Sequence, residues 1–188
     1  MRRVPELTII ASVVLTLGIN APAIADQNDP ALVPLFSALG KTTRRDQAAQ
    51  IQTEIWRLWM RFGDDQMIDA DMRAGVQMMN EGDLVGANNR FTQMVVDAPL
   101  FAEAWNKRAT VRFLLGDNAG SKSDIIKVIE LEPRHFGALS GLGMIHLEEG
   151  NLQGAVQAYE AALAINPHMD NLRVIVERLN QQLNGQAL

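Results

Sequence analysis

The residues best placed to do chemistry lie in the stretch FAEAWNKRATVRFLLGD, at positions 101–117. It groups three cations, Lys107, Arg108 and Arg112, around Trp105 and Phe113. Arg108 and Arg112 are four positions apart, so on a helix they share a face and repel each other. Such a group either binds an external anion or pairs with acids of its own chain, and the rest of the sequence has to separate these possibilities.

Sequence patterns typical of enzymes are missing. The chain has no Cys nucleophile, and it contains no G-x-S-x-G, P-loop or dinucleotide-binding glycine motif. His135, His146 and His168 are not spaced to share a helix face, so they predict no metal site. We expect His135 and His168 to be exposed in turns, and His146 to be hydrogen-bonded and partly buried. The sequence therefore predicts no catalytic residue, metal or cofactor, and a protein that is not an enzyme.

The first 25 residues have the pattern of a secretory signal peptide. Two Arg are followed by the apolar run LTIIASVVLTLGI and by Ala23-Ile24-Ala25, a typical cleavage site. We expect Sec-type export, cleavage after Ala25 and a periplasmic or secreted protein without stable membrane insertion. The alternative is a retained anchor, but a spanning helix needs about 20 apolar residues. The absence of Cys means that no disulfide stabilises the exported chain.

The remaining chain carries a net charge of −6, because removing residues 1–25 takes away two Arg and one Glu from a total of −5. An acidic balance of this kind argues against binding to nucleic acid or to an anionic membrane surface.

Glycines and prolines recur with a period of 34 residues. The repeated positions are Gly82, Gly116 and Gly150, each followed by Asp or Asn, and Pro99, Pro133 and Pro167. Glycine ends a helix, the Asx side chain caps the next helix, and proline follows the end of the second helix. Each period therefore predicts a helix–turn–helix unit, and the units span 68–101, 102–135 and 136–169.

This pattern resembles the tetratricopeptide repeat (TPR) family. The third unit fits best, with Leu139, Leu142, Gly143, Ala155, Tyr159, Ala162 and Pro167 at the family's positions. The resemblance implies an all-α fold, a right-handed solenoid of three antiparallel helix pairs closed at both ends by capping helices. It is nearest to short exported TPR proteins of bacterial envelopes, which share a double-Trp helix before the repeats.

The segments around the repeats predict these caps. Residues 170–188 place Leu172, Ile175, Val176, Leu179 and Leu183 on one helical face. Residues 46–66 contain Ile51, Ile55, Leu58, Trp59 and Phe62 at helical spacing, with Trp56 beside them, and predict an N-terminal capping helix. We expect 26–45 to be a flexible linker that contains a short helix at 35–39.

The resemblance also implies a concave groove that is lined by the first helix of each pair and that suits a peptide or an amphipathic helix. The candidate groove residues are Met72, Arg73, Val76, Asn106, Lys107, Thr110, Phe113, Ser140, Met144 and Leu147. Asn106 would pair with a peptide backbone, and Lys107 or Arg73 with a carboxylate. The carboxylate clamp that some family members use on chaperone tails is absent here.

Arg108 and Arg112 occupy positions that face the core in the family. Three explanations remain open: pairing with an acid of the neighbouring helix, of which Asp124 is the first candidate; reaching solvent while the aliphatic stems are buried; or binding an external anion.

The sequence thus predicts a non-enzymatic periplasmic scaffold that binds a protein or peptide partner of the cell envelope through its groove. Two alternatives stay open. One is a homo-oligomer formed through the Trp56/Trp59 helix, and the other is an accessory subunit of an envelope enzyme complex.

Overall fold

The structure is a computed structural model that describes residues 26–186. The predicted signal peptide therefore lies outside the described residues. The described part is helical throughout, without strands, so the predicted all-α class is confirmed. A 3₁₀ turn at Asp26–Asn28 precedes nine α-helices: α1 Leu32–Lys41, α2 Arg45–Trp59, α3 Gln66–Glu81, α4 Leu84–Asp97, α5 Ala102–Leu114, α6 Asn118–Leu131, α7 Phe136–Glu148, α8 Leu152–Ile165 and α9 Asp170–Gln186.

The turn inside each repeat is built by the predicted glycine and Asx residue. Gly116 has φ +81°, a left-handed conformation that ends α5 and that other residues adopt only with strain. The Asp117 side chain then accepts a hydrogen bond from the backbone N–H of Gly120 at 2.9 Å and caps α6. The same geometry recurs at Gly82–Asp83 and at Gly150–Asn151.

Close contacts between a small and a large side chain join the two helices of a repeat. In the third repeat, a β-carbon built on Gly143 would lie 2.4 Å from the Tyr159 ring; in the first, one built on Gly75 would lie 2.6 Å from the Phe91 ring. The three pairs, α3–α4, α5–α6 and α7–α8, stack in chain order and bury continuous apolar clusters between them. This stack is the scaffold that positions the candidate site.

The last helix, α9, closes the C-terminal end of the stack. Leu172, Val176 and Leu179 are at most 8% exposed and join the same apolar cluster as Tyr159 and Ala162 of α8. The amphipathic face predicted from residues 170–188 is the face that is buried.

The prediction of a flexible linker at 26–45 is wrong. This segment contains α1, in which Leu32 and Leu39 are fully buried. Before the helix, Gln27 donates a hydrogen bond to the Leu100 carbonyl. The short helix expected at 35–39 lies inside α1, but the two prolines and the basic residues led to the rest being read as a linker. Leu32, Leu35, Phe36 and Leu39 have the i, i+3, i+4, i+7 spacing of one helical face and pack into the core.

The predicted capping helix at 46–66 differs from the structure in length and in place. Helix α2 ends at Trp59, and a turn follows in which Asp65 caps α3. The α1–α2 hairpin does not close the first repeat; it lies across the turns that join the repeats and join the last repeat to α9. His168 lies 3.1 Å from the Leu39 carbonyl, and the rings of Trp59 and His135 stack 4.2 Å apart. After the end of α2, the ring of Phe62 packs against the ring of Phe101, with 5.2 Å between the ring centroids.

Candidate functional site

The arginine pair of α5 shares one buried carboxylate, and Arg112 also lies 3.8 Å from Oδ2 of Asp117. Arg108 donates from Nε and Nη2 to the two oxygens of Asp124 at 2.8 and 2.7 Å, and Arg112 donates to Oδ2 at 2.9 Å. Asp124 is 1% exposed, so both cations are held at the α5–α6 interface. The first of the three explanations is thus the one seen, and the cluster is part of the fold.

Glu103 organises a second buried network at the start of α5. One of its oxygens, Oε2, accepts from Asn106 at 3.0 Å and lies 2.9 Å from His135 Nε2. Lys107 Nζ lies 3.0 Å from the other oxygen, an ion pair without the angle of a hydrogen bond. Burial is the largest influence on the pKa of Glu103 and raises it. The charge of Lys107 and the hydrogen bond from His135 outweigh burial, so this pKa lies below its usual 4.5.

His135 is fully buried, so the prediction of an exposed turn residue is wrong. Its Nδ1 accepts the backbone N–H of Ala138 at 3.0 Å and caps α7. The proton therefore lies on Nε2, which donates it to Glu103. The ring also stacks on Trp59 with an interplanar angle of 10°. One histidine thus ties α2, α5 and α7 together, and its place directly before a predicted helix was the sequence signal for its capping role.

The α2 helix covers one end of the predicted groove. The Trp56 indole lies against Gly137, where a β-carbon would be 2.7 Å from the ring, and Lys107 Nζ lies 5.7 Å from its centroid. Lys107 is one of the residues that the sequence predicted to face a ligand. The groove is therefore shorter than the sequence predicts, because a helix of the same chain occupies its start.

Four of the predicted groove residues are partly or fully buried by the fold. Met72 is fully buried in the first-repeat core, and Asn106 is 8% exposed and bonded to Glu103. Val76 and Leu147 are half-buried against apolar clusters. For Met72 the prediction that the side chain faces a ligand is wrong, because the core of the first repeat buries it completely. Asn106 lines the open groove despite its bond to Glu103, and for Val76 and Leu147 the groove role stays a prediction.

The two cations predicted to meet a ligand carboxylate, Lys107 and Arg73, do not line the open groove. The Lys107 side chain is only 21% exposed. Its ammonium group pairs with the Glu103 carboxylate and lies over the Trp56 ring. Arg73 is exposed on α3, one repeat away from the groove described next.

The open remainder of the groove is a pocket of about 220 Å³ between α5 and α7. Five predicted groove residues line it: Asn106, Thr110, Phe113, Ser140 and Met144. Sequence reasoning missed Ile125 of α6 as part of its floor, where a β-carbon on Gly141 would meet the Ile125 side chain at 3.5 Å. The small residues of α7 leave this space, and Leu114 and Met144 expose 55% and 45% of their surfaces at its rim.

Metal sites and membrane-spanning helices were also considered for the described residues. Between positions 26 and 186, no three His, Asp or Glu side chains are grouped as a metal site would require. Within the same range, no helix combines the length and the apolarity needed to cross a bilayer.

Comparisons with known proteins agree with this architecture. A family model described as tetratricopeptide repeat matches residues 115–170. A TPR repeat-containing protein of Rhizobium etli is 35% identical over 151 residues, which are 80% of this chain and 74% of the relative.

Two solved structures share the fold. The first TPR of Spaghetti (RPAP3), bound to the HSP90 peptide SRMEEVD, has a TM-score of 0.61 at 21% identity, and the match covers 64% of this chain and 96% of that one. The crystal structure of MamA has a TM-score of 0.59 at 18% identity, covering 74% and 79%. With a relative this similar over most of both sequences, and with the 34-residue helix pairs in place, the chain belongs to the tetratricopeptide repeat family.

Proposed function

We propose that this protein is a non-catalytic scaffold of the cell envelope that binds a segment of a partner protein in the open groove between α5 and α7. The observation that carries the proposal is the pocket itself, which is preformed, mainly apolar and flanked by exposed Leu114 and Met144. Exposed apolar surface beside a pocket is typical of protein-interaction sites. A rigid groove also limits the ordering cost of binding to the ligand.

The fold relatives support a peptide ligand over a small molecule. The RPAP3 domain named above holds a peptide, and a TPR2B domain of yeast Sti1 was solved in a complex with pHsp70. The pocket volume of about 220 Å³ is also below the roughly 300–1,000 Å³ of sites for drug-sized ligands. One or two side chains of a partner segment fit such a space.

Export to the envelope is supported by the sequence of residues 1–25, with its two Arg, its apolar run and the Ala23-Ile24-Ala25 site. Fractionation of cells followed by mass spectrometry tests it. We expect a periplasmic or secreted chain that begins at Asp26; an intact Met1 in the cytoplasmic fraction would contradict it.

The Trp56/Trp59 helix is a poor candidate for self-association. Trp59 is 1% exposed, and Trp56 is half-buried against Gly137, so the apolar face of α2 is already used within the chain.

The groove is tested by filling it. Gly141→Leu places a bulky side chain over Ile125, in the pocket and outside the repeat core. Gly40→Leu is the matched control, because a β-carbon there meets nothing within 4 Å. In quantitative cross-linking from an envelope fraction, we expect Gly141→Leu to lose at least one partner that Gly40→Leu and the unaltered protein retain. Identical partner sets for all three proteins would refute the groove as the binding site.

A further inference from the structure

The wall of the open pocket carries no charge. Its lining consists of apolar side chains, small residues, hydroxyls and the amide of Asn106. The hydroxyl of Thr110 already donates to the Asn106 carbonyl at 2.9 Å, while its oxygen remains able to accept. The pocket thus offers apolar contact with a few hydrogen-bonding groups for a backbone, and nothing that would compensate a buried ion.

The cations beside the pocket are already neutralised within the chain. Lys107 pairs with Glu103, Arg108 and Arg112 both pair with Asp124, and Arg112 pairs in addition with Asp117 at 3.8 Å. An incoming carboxylate would have to compete with Glu103 and Asp124, whose carboxylates are 1% exposed and held at 2.7–3.0 Å. An acidic group that binds there would lose its hydration free energy, and no unpaired cation beside the pocket would compensate for that loss.

The shape of the pocket sets the direction from which a ligand enters. Trp56 closes the end at Gly137, whereas Leu114 and Met144 remain exposed at the other end. One turn beyond Met144 on α7, the exposed Glu148 accepts a hydrogen bond from Asn118 and brings negative charge to the open rim. The C-terminal ends of α5 and α7, which are also negative, lie at this rim.

We propose that this pocket anchors an uncharged apolar side chain of the partner segment and selects against acidic segments. The selection follows from the neutralised cations inside and from the carboxylate at the rim. This inference rests on the proposed function and adds the chemistry of the ligand to it. It separates this chain from the RPAP3 domain, whose bound peptide SRMEEVD is acidic and ends in Asp.

Selection from a random peptide library displayed on phage tests the inference. The protein expressed from residues 1–188 is the bait, and peptides that also bind Gly141→Leu are removed. We expect the recovered peptides to share a Leu, Ile, Met or Phe and to be depleted in Asp and Glu. Recovered peptides rich in acidic residues would overturn the inference while leaving the groove function intact. Failure to recover any peptide sensitive to Gly141→Leu would instead overturn the proposed function.

A recovered peptide then allows a direct measurement by fluorescence anisotropy. Replacing its apolar anchor by Asp is expected to weaken binding at least a hundredfold, whereas replacement by another apolar residue changes it less than about tenfold. The affinity should change little with added salt, because no ion pair forms across the interface. A steep loss with salt, or tighter binding of SRMEEVD than of the recovered peptide, would contradict the proposal.

Discussion

The Trp56 indole lies directly on the α-carbon of Gly137, at a distance that leaves no room for a β-carbon: the built atom would be 2.7 Å from Cη2. This contact joins the helix before the repeats to the first helix of the third repeat. It also decides the length of the groove, because the ring occupies the place where a ligand would otherwise meet Gly137. A residue outside the repeats therefore forms one end of the groove.

The first prediction concerns this contact. Gly137→Ala is expected to lower the free energy of unfolding by about 1–3 kcal/mol, because the rigid indole has to shift to make room. Gly141→Ala in the same helix is the control; its β-carbon makes an ordinary contact with Ile125 at 3.5 Å. Replacing a helical glycine by alanine there should stabilise the protein by up to about 1 kcal/mol. Urea denaturation checks both variants, and equal effects would show that Trp56 does not press on Gly137.

The second prediction concerns the buried arginine pair. Asp124→Ala leaves Arg108 without a carboxylate and Arg112 with only Asp117 at 3.8 Å, and it should cost about 3–5 kcal/mol of folding free energy. Glu130→Ala, which breaks the exposed pair with Lys127, should cost less than about 1 kcal/mol. Guanidinium denaturation measures both.

The same cluster allows a test of its structural role. Arg108→Ala should reduce stability without changing the affinity of a pocket-binding peptide more than about twofold, since its guanidinium is committed to Asp124. A loss of affinity with unchanged stability would assign Arg108 to the ligand site instead.

The third prediction concerns pH. The folded-state pKa of Glu103 lies below its usual 4.5, so the charged form contributes stability above that pH. This contribution is lost as the pH falls from about 4.5 through the folded-state pKa. Glu103→Gln should therefore cost about 1–3 kcal/mol at neutral pH, and the difference from the unaltered protein should shrink below pH 4.5. A difference that stays constant between pH 7 and pH 3 would contradict the assignment.

The residues at the turns were enough to predict the repeats from the sequence. The 34-residue spacing of glycine, Asx and proline places the turns because each of these residues acts on its own backbone, as Gly116 and Asp117 do. The pairing of Arg108 with Asp124 was also accessible, because both lie in one helix pair with a known register. Such features depend on neighbours within one repeat.

The N-terminal hairpin could not be placed from sequence. Its contacts join residues about 75 to 130 positions apart, such as Trp59 with His135 and Leu39 with His168. Amphipathic spacing shows which face of α2 is buried but not which partner buries it. For this reason Lys107 and Asn106 were assigned to a ligand, although Trp56 and Glu103 already contact them.

The last prediction asks whether the hairpin is a permanent part of the groove wall. Trp59 is 1% exposed and stacks on His135, and its indole nitrogen makes no hydrogen bond. Trp59→Ala should therefore cost about 3–5 kcal/mol through lost packing alone. Because α1 and α2 also bury Leu32, Leu39 and Ile55 completely, the hairpin should stay in place. The affinity of a pocket-binding peptide, measured by anisotropy under conditions where the variant is folded, should then change less than about threefold, which corresponds to less than about 0.7 kcal/mol.

Trp105→Ala, which removes a half-buried indole bonded to the Pro99 carbonyl, provides the control for a lost tryptophan outside α2. A rise in affinity of tenfold or more for Trp59→Ala, but not for the control, would mean that the hairpin competes with the partner for the groove.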